Sequence, residues 1–206
     1  MTQTKKKQTV ATVNTILYQP VELACWQRLR ANALAAINWL PEDDTYRVYN
    51  VSNKKFDPAI LNSVEKEISA FVGYPVKVAE SLIFQSRPNE NPGIHIDGKD
   101  FNRDAASQVA FNVPLLNCKD SHMLWYDGKY SLKVKPTISN PDVYSLGLSW
   151  TKGPNEVFCQ EIVTPCLVRV NIPHRVVNQQ SHTRMMLSMR FSPPLNFSDN
   201  HPSLGF

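Results

Sequence analysis

His95, Asp97, His174 and Arg184 are the residues of this 206-residue chain whose types and spacing could do chemistry. Two histidines and one carboxylate are the ligand set of a non-haem Fe(II) site that keeps coordination positions open. His95 and Asp97 are two apart. On an extended segment, residues i and i+2 project to one face, so both can reach one ion. His174 follows Asp97 by 77 residues and must arrive from another strand. Its context, from Cys166 to His174, reads as one β-run, which Pro173 restricts to a strand end or edge. From Arg184 to Phe191 the residues alternate. Arg184, Met186, Ser188 and Arg190 share one face, with Met185, Leu187, Met189 and Phe191 on the other. An arginine on such a strand offers a planar, permanently charged fork for a carboxylate. The set points to an iron enzyme that binds an acidic cosubstrate.

In order and spacing these residues resemble the Fe(II)/2-oxoglutarate-dependent dioxygenase superfamily. Its pattern is H-x-D, a distal histidine, and a basic residue about ten positions later; Arg184 is ten after His174. The match spans roughly residues 80–192, more than half the chain. The resemblance implies that His95, Asp97 and His174 hold Fe(II) and form the catalytic centre. It implies that Arg184 binds the distal carboxylate of 2-oxoglutarate. Some members carry an R-x-S pair on this strand, which this chain lacks. Ser188, four after Arg184, is a second candidate for a hydrogen bond to the cosubstrate. Arg190 is the alternative anchor, or a substrate contact. The implied reaction couples decarboxylation of 2-oxoglutarate to substrate oxidation, usually hydroxylation. Halogenating relatives have a small residue where Asp97 stands, so the implied activity is that of a hydroxylase.

H-x-D alone is common by chance, and a lone histidine after proline is more often a strand-end residue than a ligand. Agreement of order, spacing and β-context sets these residues apart. His122, His182 and His201 have no such context. Two other classes stay open: a cupin-type metal enzyme that does not use 2-oxoglutarate, and a non-catalytic jelly-roll binding protein. Arg184 and its spacing favour the oxygenase.

The composition excludes several classes. At 42% hydrophobic and 19% charged residues, the chain can bury a core and is not a disordered tail. No apolar run is long enough to span a bilayer. The first eight residues lack the apolar core of a signal peptide, so a cytoplasmic protein without a membrane partner is expected. Cys25, Cys118, Cys159 and Cys166 show no C-x-x-C spacing, which argues against a zinc ribbon or dithiol site and for free thiols. The net charge is +4, but Lys5, Lys6 and Lys7 supply three of those charges. The rest is close to neutral, so nucleic acid is not the expected partner. The expected substrate is a small metabolite or a protein side chain.

The elements that position these residues divide the chain. Residues 1–9 read as a flexible basic tail, and 10–77 as a mixed helical support. Residues 78–192 read as a jelly-roll core and 193–206 as a C-terminal tail, all in one domain. Residues 10–18 alternate like a strand. Trp26, Leu29, Ala33, Ile37 and Leu40 fall at steps of three and four, so residues 21–40 read as an amphipathic helix. A second helix is expected with Asp57 as N-cap, Pro58 at its first position, and Gly73 just past its end. Tyr46–Val51 reads as a strand between them. Eight short β-like runs follow: 78–86, 108–116, 123–126, 130–135, 143–150, 156–162, 167–172 and 184–191. This spacing predicts a mainly β fold with flanking helices: a double-stranded β-helix, the cupin-like jelly roll, with both helices on one sheet. Around the site, Asn112, Trp125, Tyr126, Asn178, the loop 87–93 and residues 99–103 are candidate lining or supporting groups.

Overall fold

The computed structural model of the protein describes residues 16–37, 47–97, 109–136 and 144–197. The expectations for residues 99–103, His201, and most of the strand placed at 10–18 lie outside the described residues.

Ten strands and two α-helices make up the described chain. The strands are β1 (Tyr18–Pro20), β2 (Arg47–Asn50), β3 (Lys77–Ser86), β4 (His95–Asp97), β5 (Val109–Leu116), β6 (Ser121–Pro136), β7 (Tyr144–Glu161), β8 (Cys166–Arg169), β9 (His174–Asn178) and β10 (Arg184–Ser192). The helices are α1 (Trp26–Ile37) and α2 (Pro58–Val72). Six strands form one antiparallel sheet in the order β1-β8-β5-β10-β3-β2. β4, β7, β6 and β9 form the second, whose ends meet because β4 pairs with both β7 and β9. This is the two-sheet jelly roll expected from the sequence.

α2 begins and ends where its signals stand. The Asp57 side chain accepts from the Ala59 amide at 2.8 Å, Pro58 opens the helix, and Gly73 terminates it in the left-handed region at φ 81°. Ile60, Val64 and Ile68, at successive steps of four, are buried. They join Leu29, Ala33 and Ala36 of α1 and Leu187, Met189 and Phe191 of β10 in one core. The helices thus cover the outer face of the six-stranded sheet. A second core of Ala110, Met123, Trp125, Cys166, Val168 and Met186 lies between the two sheets.

Three expectations need correction. α1 starts at Trp26, not Val21. The Val21 amide donates to the Pro165 carbonyl at 2.9 Å, which keeps that stretch beside the sheet. The run from Cys166 to His174 is not one strand. β8 stops at Arg169 and β9 starts at His174, so the histidine heads a strand of the opposite sheet. The runs 123–126 and 130–135 are one strand, β6, and 143–150 and 156–162 are largely one strand, β7. Their ladder continues through register shifts near Gly128. At Gly128, φ is 138° and a Cβ would stand 2.6 Å from the Lys152 carbonyl oxygen, so this glycine permits a bulge where a turn was expected.

Candidate metal centre and its pocket

β4 is three residues long, yet it carries both His95 and Asp97 on one face, with Ile96 buried behind them. Its backbone is fixed on two sides. It pairs with β7 through His95↔Gly147 and Asp97↔Ser145, and the Asp97 amide donates to the Val170 carbonyl at 3.0 Å. On its other side His95 pairs directly with His174, the first residue of β9. The two imidazoles are therefore cross-strand neighbours, with ring centroids 4.6 Å apart.

The tautomers follow from the backbone. His95 Nδ1 lies 3.0 Å from the Gly93 carbonyl oxygen, and His174 Nδ1 lies 2.9 Å from that of Ile172. Each Nδ1–H donates to a carbonyl, so Nε2 of each neutral ring presents its lone pair, and His95 Nε2 donates to Asp97 only when that ring is protonated. Both Nε2 atoms face one oxygen of Asp97: Oδ1 is 3.5 Å from His95 Nε2 and 3.7 Å from His174 Nε2. All three ligand atoms lie within 4.8 Å of one another. Ligands about 2.1 Å from a common ion stand about 3 Å apart at right angles, so a small inward closure brings these atoms into coordination range. Neutral imidazole and carboxylate donors suit iron and its neighbours in the first transition row.

The other Asp97 oxygen is occupied. Arg190 Nη2 donates to Oδ2 at 2.9 Å, while Nη1 donates to Ser188 Oγ at 2.7 Å. Burial opposes ionisation of Asp97, but the His95 hydrogen bond and the positive groups around it hold its carboxyl well below the usual range. Burial, reinforced by His95, pushes His174 down to about 4. Burial also acts to lower His95, but the hydrogen bond and charge of Asp97 outweigh it and leave this imidazole above its ordinary value.

A pocket opens from this centre between the sheets. Its walls include His95, Asp97, His174, Asn112, Arg184 and Ser188, with Phe84, Met123, Val170, Val176 and Met186 as the apolar lining. The face of β10 that holds Arg184, Met186 and Ser188 is the one turned to the pocket. Its other face belongs to the helix-side core. Arg184 is buried, pairs across the sheet with Ser86, and has the thiols of Cys118 and Cys166 near it. Burial raises both thiols despite that arginine, so they stay neutral beside it. Six residues of strand, about 20 Å of backbone, separate Arg184 from Arg190. Arg190 stands on Asp97, at the metal end, and this is the first site feature that alternation alone did not reveal.

Other expected site residues fall differently. Asn112 lines the pocket, and its Oδ1 is buried without a hydrogen-bond partner among the described residues. Pro92, in the loop before His95, forms part of the wall. Trp125 packs into the inter-sheet core and donates from Nε1 to the Arg169 carbonyl at 2.8 Å; neither it nor Tyr126 is a pocket residue. Asn178 faces backbone carbonyls and not His95, Asp97 or His174. His122 is half-buried and His182 exposed, and neither joins the cluster. All four cysteines are free, and among the described residues no helix is long and apolar enough to cross a membrane.

No protein-family model and no curated protein matches this chain. Among solved structures it is similar to HygX from Streptomyces hygroscopicus, a structure with nickel and 2-oxoglutarate bound. That match has 10% identity, 84% of this chain and 80% of the other covered, and a TM-score of 0.46. The viral collagen prolyl hydroxylase of Paramecium bursaria chlorella virus-1, a 2-oxoglutarate complex, matches at 11% identity, 84% and 94% coverage and a TM-score of 0.38. AviO1 from Streptomyces viridochromogenes matches at 13% identity, 90% and 93% coverage and a TM-score of 0.37. Likeness at this level carries nothing about activity or substrate.

Proposed function

We propose that this protein is an Fe(II)- and 2-oxoglutarate-dependent oxygenase that hydroxylates a small metabolite or a protein side chain. The observation that carries the reading is the convergence of His95 Nε2, His174 Nε2 and Asp97 Oδ1 on one point of a pocket whose wall also holds the buried Arg184.

The donor set fits the metal. Two imidazoles with fixed tautomers and one oxygen of a carboxylate make a three-ligand set and leave the pocket side free for exchangeable ligands. The pocket fits the cosubstrate. A dicarboxylate needs a cation at its far end, and Arg184 supplies a bidentate fork there. Asn112 Oδ1, which has no hydrogen-bond partner among the described residues, and the hydroxyl of Ser188 stand nearer the metal end, where a bound molecule with hydrogen-bonding groups of its own would meet them. When bound, the ion and the cosubstrate would supply oxygen activation coupled to oxidative loss of carbon dioxide from the cosubstrate.

The chain's own residues set the conditions. His95, Asp97 and His174 hold the ion on one side. Arg190 occupies the second oxygen of Asp97, so Oδ1 is the atom that would hold the ion. Arg184 fixes the orientation of the cosubstrate, and the apolar walls from Phe84, Met123, Val170 and Met186 exclude bulk water. A carboxylate at position 97 fills the place that a halide would need, which supports hydroxylation over halogenation. Free thiols and the requirement for ferrous iron both suit a reducing, cytoplasmic setting.

The test is a titration of the anaerobic Fe(II) protein with 2-oxoglutarate. A weak visible charge-transfer band that saturates at one equivalent is expected. Stoichiometric iron binding with no such band would instead favour a cupin-type metal enzyme that does not use 2-oxoglutarate. Candidate substrates are then screened by the succinate whose release from 2-oxoglutarate each one stimulates.

A further inference from the structure

Asn178 closes β9, four residues after His174, and its side chain is fully buried. It faces three backbone carbonyls. Nδ2 stands 2.8 Å from the Arg87 oxygen, 3.0 Å from that of His182 and 3.3 Å from that of Ser86. An amide has two hydrogens to donate. They go to Arg87 and His182, with the longer Ser86 contact shared. Oδ1 accepts from the Gln180 amide at 3.1 Å, and the Asn178 backbone amide donates to the Glu90 carbonyl at 3.0 Å. A further bond, from the Asn89 amide to the Gln180 carbonyl at 3.2 Å, joins the same two loops.

The bond to Gln180 is a local turn contact of the kind asparagine makes in many proteins. The bonds to Ser86 and Arg87 are not local, since they span more than 90 residues of chain. They tie together three segments. The loop that starts at Arg87 delivers His95. β9 carries His174. The turn ending at His182 delivers Arg184, which itself pairs with Ser86. No other residue type serves as well in this position. The site needs two donors and one acceptor within one short side chain, without a charge, and aspartate or leucine would leave buried carbonyls unpaired.

We infer that Asn178 is a positioning residue that couples the metal-binding loop to the turn carrying Arg184, so that metal binding organises the cosubstrate anchor. The part that concerns the cosubstrate rests on the oxygenase reading. The coupling itself concerns only the metal ligands and two loops. Metal binding draws His95 and His174 together. Through Asn178 that ordering passes to residues 179–183, which lie outside the cluster of His95, Asp97 and His174.

Amide hydrogen exchange of the full chain, with and without Mn(II) and without 2-oxoglutarate, tests this. In the wild type, Mn(II) is expected to slow exchange roughly tenfold at Gln180 and Asn89 as well as around residues 95–97 and 174, the effect of about one buried hydrogen bond held closed. In Asn178→Ala, Mn(II) is expected to protect residues 95–97 and still bind. The protection at Asn89, whose acceptor is the Gln180 carbonyl and not Asn178, is expected to vanish, and the 2-oxoglutarate dissociation constant to rise roughly tenfold. A residue that only stabilised the fold would speed exchange evenly, α2 included, and leave the Mn(II)-induced protection at Asn89 in place; that outcome overturns the inference. If the variant does not fold, the wild type decides alone, since Mn(II) protection confined to residues 95–97 and 174 also overturns it. A wild type that binds Mn(II), shows the transmitted protection and ignores 2-oxoglutarate would sink the oxygenase reading while the coupling stands.

Discussion

Arg190 holds the oxygen of Asp97 that does not face the two histidines, at 2.9 Å. A carboxylate gripped in this way meets a metal through Oδ1 alone. In the apo protein the same contact offsets the charge of a largely buried carboxylate. Replacing Arg190 with methionine keeps much of the side-chain volume and removes the charge. Breaking a fully buried pair costs about 3–5 kcal/mol, and the partial exposure of Asp97 reduces this to about 2 kcal/mol. The apo variant should therefore melt lower than the wild type. A divalent ion then replaces the positive charge that Arg190 supplied to Asp97, so Mn(II) should raise the melting temperature of the variant more than that of the wild type. Equal metal-induced shifts in thermal denaturation would contradict this.

Removing one of the three converging side chains is a separate matter. His174→Ala should abolish stoichiometric Fe(II) binding or weaken it by orders of magnitude, while His122→Ala should leave it intact. Metal analysis of the purified variants after loading checks both. Unchanged affinity in His174→Ala would mean that the three atoms do not act as one site.

The pH dependence of metal binding follows from the directions of the three shifts. Asp97 is ionised and His174, depressed to about 4, is neutral across the neutral range. His95 is raised, so its proton is the one that competes with the metal. The dissociation constant should rise about tenfold per pH unit as pH falls below the raised His95 value, with a slope near one proton. Only near pH 4 should His174 add a second. Mn(II) titrations at a series of pH values measure the slope. A flat profile from pH 8 to 5, or a slope of two throughout, would contradict the assignment.

Much of this arrangement was legible because it depends on short periods. The two-residue spacing of His95 and Asp97 put both on one face of β4. The alternation of β10 separated the pocket residues Arg184, Met186 and Ser188 from the core residues Leu187, Met189 and Phe191. Asp57, Pro58 and Gly73 bounded α2 through local hydrogen bonds that need no tertiary partner. What stayed hidden depends on distant partners. Val21 left α1 because Pro165 takes its amide. Gly128 looked like a turn and proved to be a bulge in a continuous ladder, because Lys152 and Trp150 leave no room for a Cβ. Trp125 was as plausible in the pocket as in the core, and the Arg169 carbonyl decides it. Asn178 resembled a ligand-supporting residue by its spacing from His174, whereas its partners lie at Ser86, Arg87 and His182. The pairing of Arg190 with Asp97 joins β10 to β4, two strands in different sheets, and no periodicity predicts it.

Calorimetric titration of 2-oxoglutarate into Mn(II)-loaded protein tests the central claim most directly. The account predicts one molecule bound per chain, with binding greatly weakened in the metal-free protein. It predicts a dissociation constant roughly ten- to a hundredfold higher in Arg184→Ala, the cost of one charge-assisted bond of about 1.5–3 kcal/mol. Arg184→Lys, which keeps the charge and loses the fork, should fall between, and Mn(II) affinity should survive in both. No binding by the loaded wild type, or binding that Arg184→Ala leaves unchanged while Arg190→Ala removes it, would contradict the account.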